Sequence, residues 1–340
     1  MGDVAPFRPA PALSDPHCQT LGAAIIRRYP GPPLQRERVE LPDGDFLDLD
    51  WGPRRAGGPL VVVLHGLAGC SRSNYAGGML RAAVCRDWQG VVMHFRGCSG
   101  EPNRQAKSYC AGDTDDLAFV LGLLRARHAK GPMFAVGYSL GGSVLLKWLG
   151  ETGEQRLLQA AAAVSVPFRL ADAANRMNRG WSRLYQRHLL RRLQHAYAEK
   201  FRDRDDAPLT LDQVARLNTF WEFDDQVTAP LHGYSGVDEY YRRASCRGYL
   251  HGVRVPTLIV HALDDPFMLR ESGPSPGEVS DQVTLELSRH GGHVGFIGGS
   301  AWRPSYWLEQ RIPAYLGRHL GVPTPEMPTP EHARACSECT

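Results

Sequence analysis

Apolar positions along the chain follow three regimes. Around Pro42-Asp43-Gly44-Asp45, residues 38–41 and 46–51 alternate polar and apolar with period two, which predicts a β-hairpin. The pattern then condenses into short apolar runs at 59–64 (PLVVVL), 90–95 (GVVMHF), 133–136 (MFAV), 160–166 (AAAAVSV) and 256–261 (PTLIVH). Runs of that length read as buried strands, and between the earlier ones lie helical stretches. One of these, 117–127, is preceded by Asp113, Thr114, Asp115 and Asp116 as a capping cluster. Strand and helix in alternation predict an α/β chain with a mostly parallel, doubly wound sheet, and cover on both faces explains why the runs are nearly continuous. From 167 to 254 the dense runs stop. Trp181, Leu184, Tyr185, Leu189, Leu193 and Tyr197 fall on one helical face, while Arg176, Arg179, Arg183, Arg187 and Arg191 form a stripe on another.

This divides the chain into an N-terminal extension packing on the core (1–35), a first part of the core (36–166), an inserted helical cap (167–254), a second part of the core (255–320) and a Pro-rich tail expected to be disordered (321–340). The arginine stripe reads as a solvated face, with attraction of an anionic head group or membrane surface as the sharper alternative.

Composition narrows the classes. With 340 residues and 43% hydrophobic the chain can bury a large core, and a formal net charge of +3 gives no reason to expect a nucleic-acid partner. No apolar run is long enough to span a bilayer, the first residues lack a secretory pattern, and Pro6 spoils a myristoylation signal, so a cytoplasmic location is expected. The eight cysteines show no framework spacing and read as reduced thiols. The C-x-x-C at Cys336 and Cys339 has no second pair, and neither H-E-x-x-H, a phosphate loop nor a dinucleotide fingerprint occurs; metal and nucleotide cofactors are not expected.

The chemistry starts at "FAVGYSLGGSVLLKWL", where a strand, a tight turn and a helix meet at Ser139 between Gly137 and Gly141. This is the context of a nucleophile elbow, in which the serine oxygen stands at the top of a sheet beside a helix N-terminus. A serine hydroxyl is weakly nucleophilic at neutral pH and needs a histidine base oriented by an acid. Asp264 and Asp265 follow the run at 256–261, and His290 and His293 follow the run at 283–288, in the chain order such a triad requires. Spacing alone leaves both choices open. For the oxyanion, the Leu140 amide follows the nucleophile, and Leu67 in "LHGLAG" is the second candidate donor. His65 in that loop reads as a packing residue, and Arg96 and Arg104 read as loop supports in preference to anion contacts. A serine at the elbow, where dehalogenases and epoxide hydrolases use a carboxylate, favours acyl transfer.

Further motifs carry a resemblance. "PHCQTL", "ELPDGDFLDLDW", "HFRGCSGEPNR", "VGYSLGGS", "EFDDQVTAPLHGY", "DEYYRRAS", "ALDDPFM" and "HGGHVGF" cover about residues 7–320. In these the chain resembles the YheT-like α/β-hydrolases, bacterial proteins related to eukaryotic abhydrolase-domain esterases and yeast medium-chain ester synthases and hydrolases. The resemblance implies an α/β-hydrolase fold and a triad of Ser139, Asp265 and His293. It also implies hydrolysis of short- to medium-chain carboxylic esters, a small-molecule acyl ester as partner and no cofactor; some relatives act on phospholipids, monoacylglycerols, or acyl-CoA with an alcohol. Cys18 and Cys110-Ala111 depart from the bacterial pattern and do not touch the triad. Acyl transfer to an alcohol and thioester cleavage use the same triad, although the H-x-x-x-x-D spacing tied to some acyltransferases occurs at none of the 13 histidines. A non-catalytic acyl-lipid binder is the alternative from another class, disfavoured because every triad member is present.

Overall fold

The first two strands pair through charge as well as backbone. β1 (Gln35–Glu40) runs antiparallel to β2 (Phe46–Trp51), placing Arg36 opposite Asp50 and Arg38 opposite Asp48. Asp48 and Asp50 are buried, and each accepts two hydrogen bonds from the arginine facing it, so the buried charges are matched across the ladder. The computed structural model describes residues 4–25, 31–54, 57–128, 131–155, 157–300 and 303–321; the tail with Cys336 and Cys339 lies outside them.

β2 pairs antiparallel with β4 (Gln89–Met93), and from there every neighbour is parallel: β3 (Leu60–Leu64), β5 (Met133–Tyr138), β6 (Ala160–Val164), β7 (Thr257–Ala262) and β8 (Val283–Ser288). The order across the eight-stranded sheet is β1-β2-β4-β3-β5-β6-β7-β8. Successive side chains point to opposite faces. Val62, Leu64, Met133 and Ala135 pack on one side with α3 (Asp115–Arg127) and α4 (Leu140–Thr152). Val61, Val63, Phe134 and Val136 pack on the other with α2 (Asn74–Val84) and α11 (Leu308–Gly317). The doubly wound sheet expected from the apolar runs is present.

At the start of α3 a local expectation changes. Thr114 is the N-cap of α3 but makes no side-chain cap bond, and Asp116 turns away to bind buried Arg96 with both oxygens. Arg96 also reaches Asp43 and Asp45, so it clamps the β1–β2 turn, the loop after β4 and the start of α3. Arg104 holds the same turn through Glu40 and the Gly44 carbonyl.

Between β6 and β7 lie α5 (Leu170–Met177), α6 (Ser182–Phe201), α7 (Leu211–Ala215), α8 (Phe220–Phe223), α9 (Ala229–Leu231) and α10 (Val237–Ala244), with a π-helical turn at Asp224–Thr228. The inward face of α6 keeps most of the face the period predicts, since Tyr185, Leu189, Leu193 and Tyr197 pack toward the core, and it widens to take in polar positions. Ser182, Gln186, Leu190, Tyr197 and Phe201 are buried, whereas Trp181 and Leu184 are 74% and 59% exposed. Hydrogen bonding decides this: Ser182 donates to the Pro266 carbonyl at 2.6 Å, and Gln186 bridges Asn178 and the Phe220 amide. Satisfied polar groups occupy the buried stripe, and two apolar side chains are left outside.

α1 (Pro16–Ile25) packs on the C-terminal part of the core. Gln19 donates to the Ile297 carbonyl at 2.9 Å and accepts from the Ile297 amide at 2.8 Å, joining α1 to β9 (Ile297–Gly299), which pairs with β10 (Pro304–Tyr306). Among the described residues no helix is long and apolar enough to cross a membrane.

Candidate active site

Ser139 joins β5 to α4 with φ +51° and ψ −120°, a backbone region that residues with a side chain rarely occupy. The flanking glycines make the turn possible. A Cβ on Gly137 would stand 2.5 Å from the Gly141 oxygen, and one on Gly141 would stand 2.5 Å from the His65 oxygen and 2.7 Å from that of Leu64. Both contacts are with backbone that cannot yield, so the elbow seats against the end of β3 only when both positions lack side chains. The Ser139 amide donates to the Val164 carbonyl at 2.8 Å, fixing the turn to β6.

Two loops bring the partners of Ser139 to it. His293, beyond the end of β8, has Nε2 at 3.0 Å from Ser139 Oγ and Nδ1 at 2.8 Å from Asp265 Oδ2. Asp265 follows β7 and accepts the Phe267 amide on its other oxygen at 2.8 Å. The Phe267 ring stacks on the imidazole with centroids 4.0 Å apart and planes within 7°. The His293 amide donates to Thr20 Oγ1 of α1 at 2.9 Å. The other two candidates sit apart. Asp264 accepts the Gly292 amide at 2.9 Å and faces His290 Nδ1 at 3.5 Å.

Two amides of the loop after β3 are engaged by tyrosine hydroxyls. Gly66 N donates to the Tyr75 hydroxyl and Ala68 N to the Tyr109 hydroxyl, each at 2.8 Å. The Leu67 amide lies between these, and the Leu140 amide is the first of α4, with no carbonyl four residues back inside the helix. Leu67 and Leu140 line the same cavity as Ser139. His65 is fully buried: its Nδ1 contacts the Gly66 oxygen at 2.8 Å and its Nε2 accepts the Phe95 amide at 3.1 Å. Burial lowers its pKa to about 3, so the ring is neutral and braces the loop.

The cavity has a volume of about 470 Å³. Its walls are largely apolar, from Leu170, Met177, Leu189, Leu193 and Phe220 between β6 and β7 and Met268 beyond β7. Polar residues on it escaped the sequence reading, Thr20 and Asp224 among them. Thr20 lies 273 positions before the amide it binds, and no local signal marks that contact. Asp224, inside "EFDDQVTAPLHGY", reads as one more surface acid in a polar string.

A family model described as the alpha/beta hydrolase fold matches residues 59–300. The chain is 44% identical to YheT of Escherichia coli (strain K12), a candidate esterase by name, over 93% of this chain and 94% of that one. It is 30% identical to the mouse phospholipase ABHD3 over 83% of this chain and 71% of the relative. It is also 30% identical to the monoacylglycerol lipase of Saccharomyces cerevisiae, over 73% and 57%. Among solved structures, the alpha/beta hydrolase GrgF from Penicillium sp. sh18 superimposes with a TM-score of 0.58 at 13% identity, covering 85% of this chain and 99% of that one. The Pyrococcus furiosus esterase Pf2001 gives 0.55 at 14% identity, covering 86% and 99%. The matched core, the sheet order and the YheT likeness along nearly the whole length lead to one conclusion: the chain belongs to the α/β-hydrolase family, in its YheT-like branch.

Proposed function

We propose that the protein is a serine esterase that cleaves short- to medium-chain carboxylic esters through an acyl-enzyme. Ser139 Oγ attacks the ester carbonyl as its proton passes to His293 Nε2. The tetrahedral oxyanion takes hydrogen bonds from the Leu67 and Leu140 amides. Collapse breaks the C–O bond, and the alcohol leaves with the proton held by His293. Water then repeats the sequence on the acyl-enzyme, releasing the acid and restoring the serine. Asp265 holds the imidazole in the tautomer with Nδ1 protonated and stabilises the imidazolium as it forms.

The observation that carries this reading is the continuous contact Asp265–His293–Ser139, at 2.8 and 3.0 Å, opening on a cavity with apolar walls. The test is a series of nitrophenyl esters of increasing acyl length, on wild type and Ser139→Ala, with and without an added alcohol. Wild type should turn over short and medium chains and Ser139→Ala should lose about 10⁴-fold or more. A product ester in the alcohol arm would move the assignment to acyl transfer, and full activity in Ser139→Ala would end it.

Contact with an anionic membrane surface would fall at the N-terminal end of α6, where exposed Trp181 and Leu184 neighbour Arg183 and Arg187 in sequence. Cosedimentation with phosphatidylglycerol vesicles that survives Arg183→Glu with Arg187→Glu would remove that reading.

A further inference from the structure

Asp224 is the only carboxylate among the described residues lining the ester cavity, and the mechanism above gives it no part. It opens the π-helical turn Asp224–Thr228, a distortion often found at functional positions. Its hydrogen-bond partners are separate from the triad: Thr228 donates to Oδ1 at 2.7 Å and Tyr241 to Oδ2 at 2.8 Å. A carboxylate can accept about four hydrogen bonds, so two donors leave capacity on both oxygens. Phe220, Leu189, Leu193, Tyr240 and Tyr241 line the same cavity.

An ionised group in such surroundings is expensive unless something interacts with it. Burial pushes the Asp224 carboxyl up to about 6, with the two hydroxyls partly opposing the shift, so at neutral pH the acceptor form still prevails. A plain alkyl chain packed against this carboxylate would strip its remaining solvation and return no hydrogen bond. A chain bearing a donor would replace what it removes. We propose that Asp224 is a specificity-determining residue, accepting a hydrogen bond from a hydroxyl or ammonium group that the substrate carries away from its reacting carbonyl. The inference rests on the esterase reading and narrows its substrate class to esters with a donor-bearing chain.

The test compares nitrophenyl alkanoates with their ω-hydroxy and ω-ammonium counterparts at matched lengths. A parallel series of esters of alkanols and matched diols probes the alcohol side. Wild type should favour a donor-bearing ester over its plain match by at least about tenfold in kcat/KM at one chain length. Asp224→Ala should bring that ratio close to one. Tyr241→Phe loosens the same turn but keeps the carboxylate, and should preserve the ratio; a merely structural Asp224 would make the two variants behave alike. Because each ratio is internal to one variant, a general loss of folded enzyme leaves it unchanged. Equal ratios in wild type and Asp224→Ala, or no preference at any length on either side, would overturn the inference. Calorimetry of a medium-chain alkanol and its matched diol binding to Ser139→Ala reads the same contact without turnover. Failure to hydrolyse any ester would therefore sink the esterase reading alone, while equal binding of the two alcohols would sink this one.

Discussion

Two Asp–His pairs stand side by side beyond β7 and β8. In one, Asp265 and His293 meet at 2.8 Å with side chains 1% and 10% exposed; in the other, Asp264 and His290 face each other at 3.5 Å with 17% and 48% exposed. Residue type, order and strand position are common to both, and the surroundings differ. Asp265 has the Phe267 amide on its free oxygen, and His293 is stacked under the Phe267 ring and fixed through its backbone to Thr20. No side-chain hydrogen bond satisfies Asp264 Oδ2, and its ring partner is half in solvent. In the proposed mechanism, what would prepare an imidazole for proton transfer is therefore the set of groups that immobilise it and exclude water, and a nearby acid is only one of them.

The comparison breaks most sharply at the histidines. His293→Gln should lower kcat/KM by on the order of 10⁴-fold, because among the described residues no other base is in hydrogen-bond contact with Ser139. His290→Gln should stay within about twofold, since an exposed ion pair contributes little. Steady-state kinetics on one medium-chain ester decides it, and comparable losses in the two variants would abolish the distinction.

The aspartates come next. Asp265→Asn keeps the shape but presents an amide where the imidazole N–H needs an acceptor, and should lose about 10³- to 10⁴-fold in kcat. Fluorophosphonate labelling of Ser139 should slow in parallel. Labelling at the wild-type rate would show that Asp265 does not orient the base.

A smaller effect tests the brace from α1. Thr20→Val removes the acceptor of the His293 amide and leaves a part-buried N–H unpaired. If the loss appears as misorientation of the ring, kcat should fall about tenfold with KM little changed. A change confined to KM would instead assign Thr20 to substrate contact, as its place on the cavity wall allows.

The same residues also mark what could be read in the chain. The sheet was legible because strands covered on both faces need unbroken apolar runs, and β3, β5, β6 and β7 are buried at every position. The elbow was legible because two glycines bounding a five-residue frame, Gly137 and Gly141, record a steric requirement. The choice between Asp264 and Asp265 was not legible, because adjacent residues at a turn differ only in the direction they point. It came from likeness to a family. Thr20 left no trace because its contact is long-range, and the part of Ser182 and Gln186 in the buried face of α6 was missed because hydrogen bonding and not hydrophobicity buries them.

The smallest expected effect concerns stability. Burial holds the Asp264 carboxyl above the usual range, with the Gly292 amide and His290 partly opposing it. A native state that keeps this proton longer than the unfolded chain loses stability as pH rises through the interval just above the ordinary aspartate value of about 3.9. Asn at this position has no proton to lose, and its Oδ1 can still accept the Gly292 amide. Asp264→Asn should therefore show a flatter dependence of unfolding free energy than wild type as pH rises above the ordinary aspartate range. At neutral pH it should be equal to it or more stable by about 0.5 kcal/mol. Urea unfolding at several pH values measures the slope, with ester turnover followed on the same samples. A destabilised Asp264→Asn with turnover reduced along with it would mean that the outer pair anchors the His293 loop, and the two pairs would have to be treated as one unit.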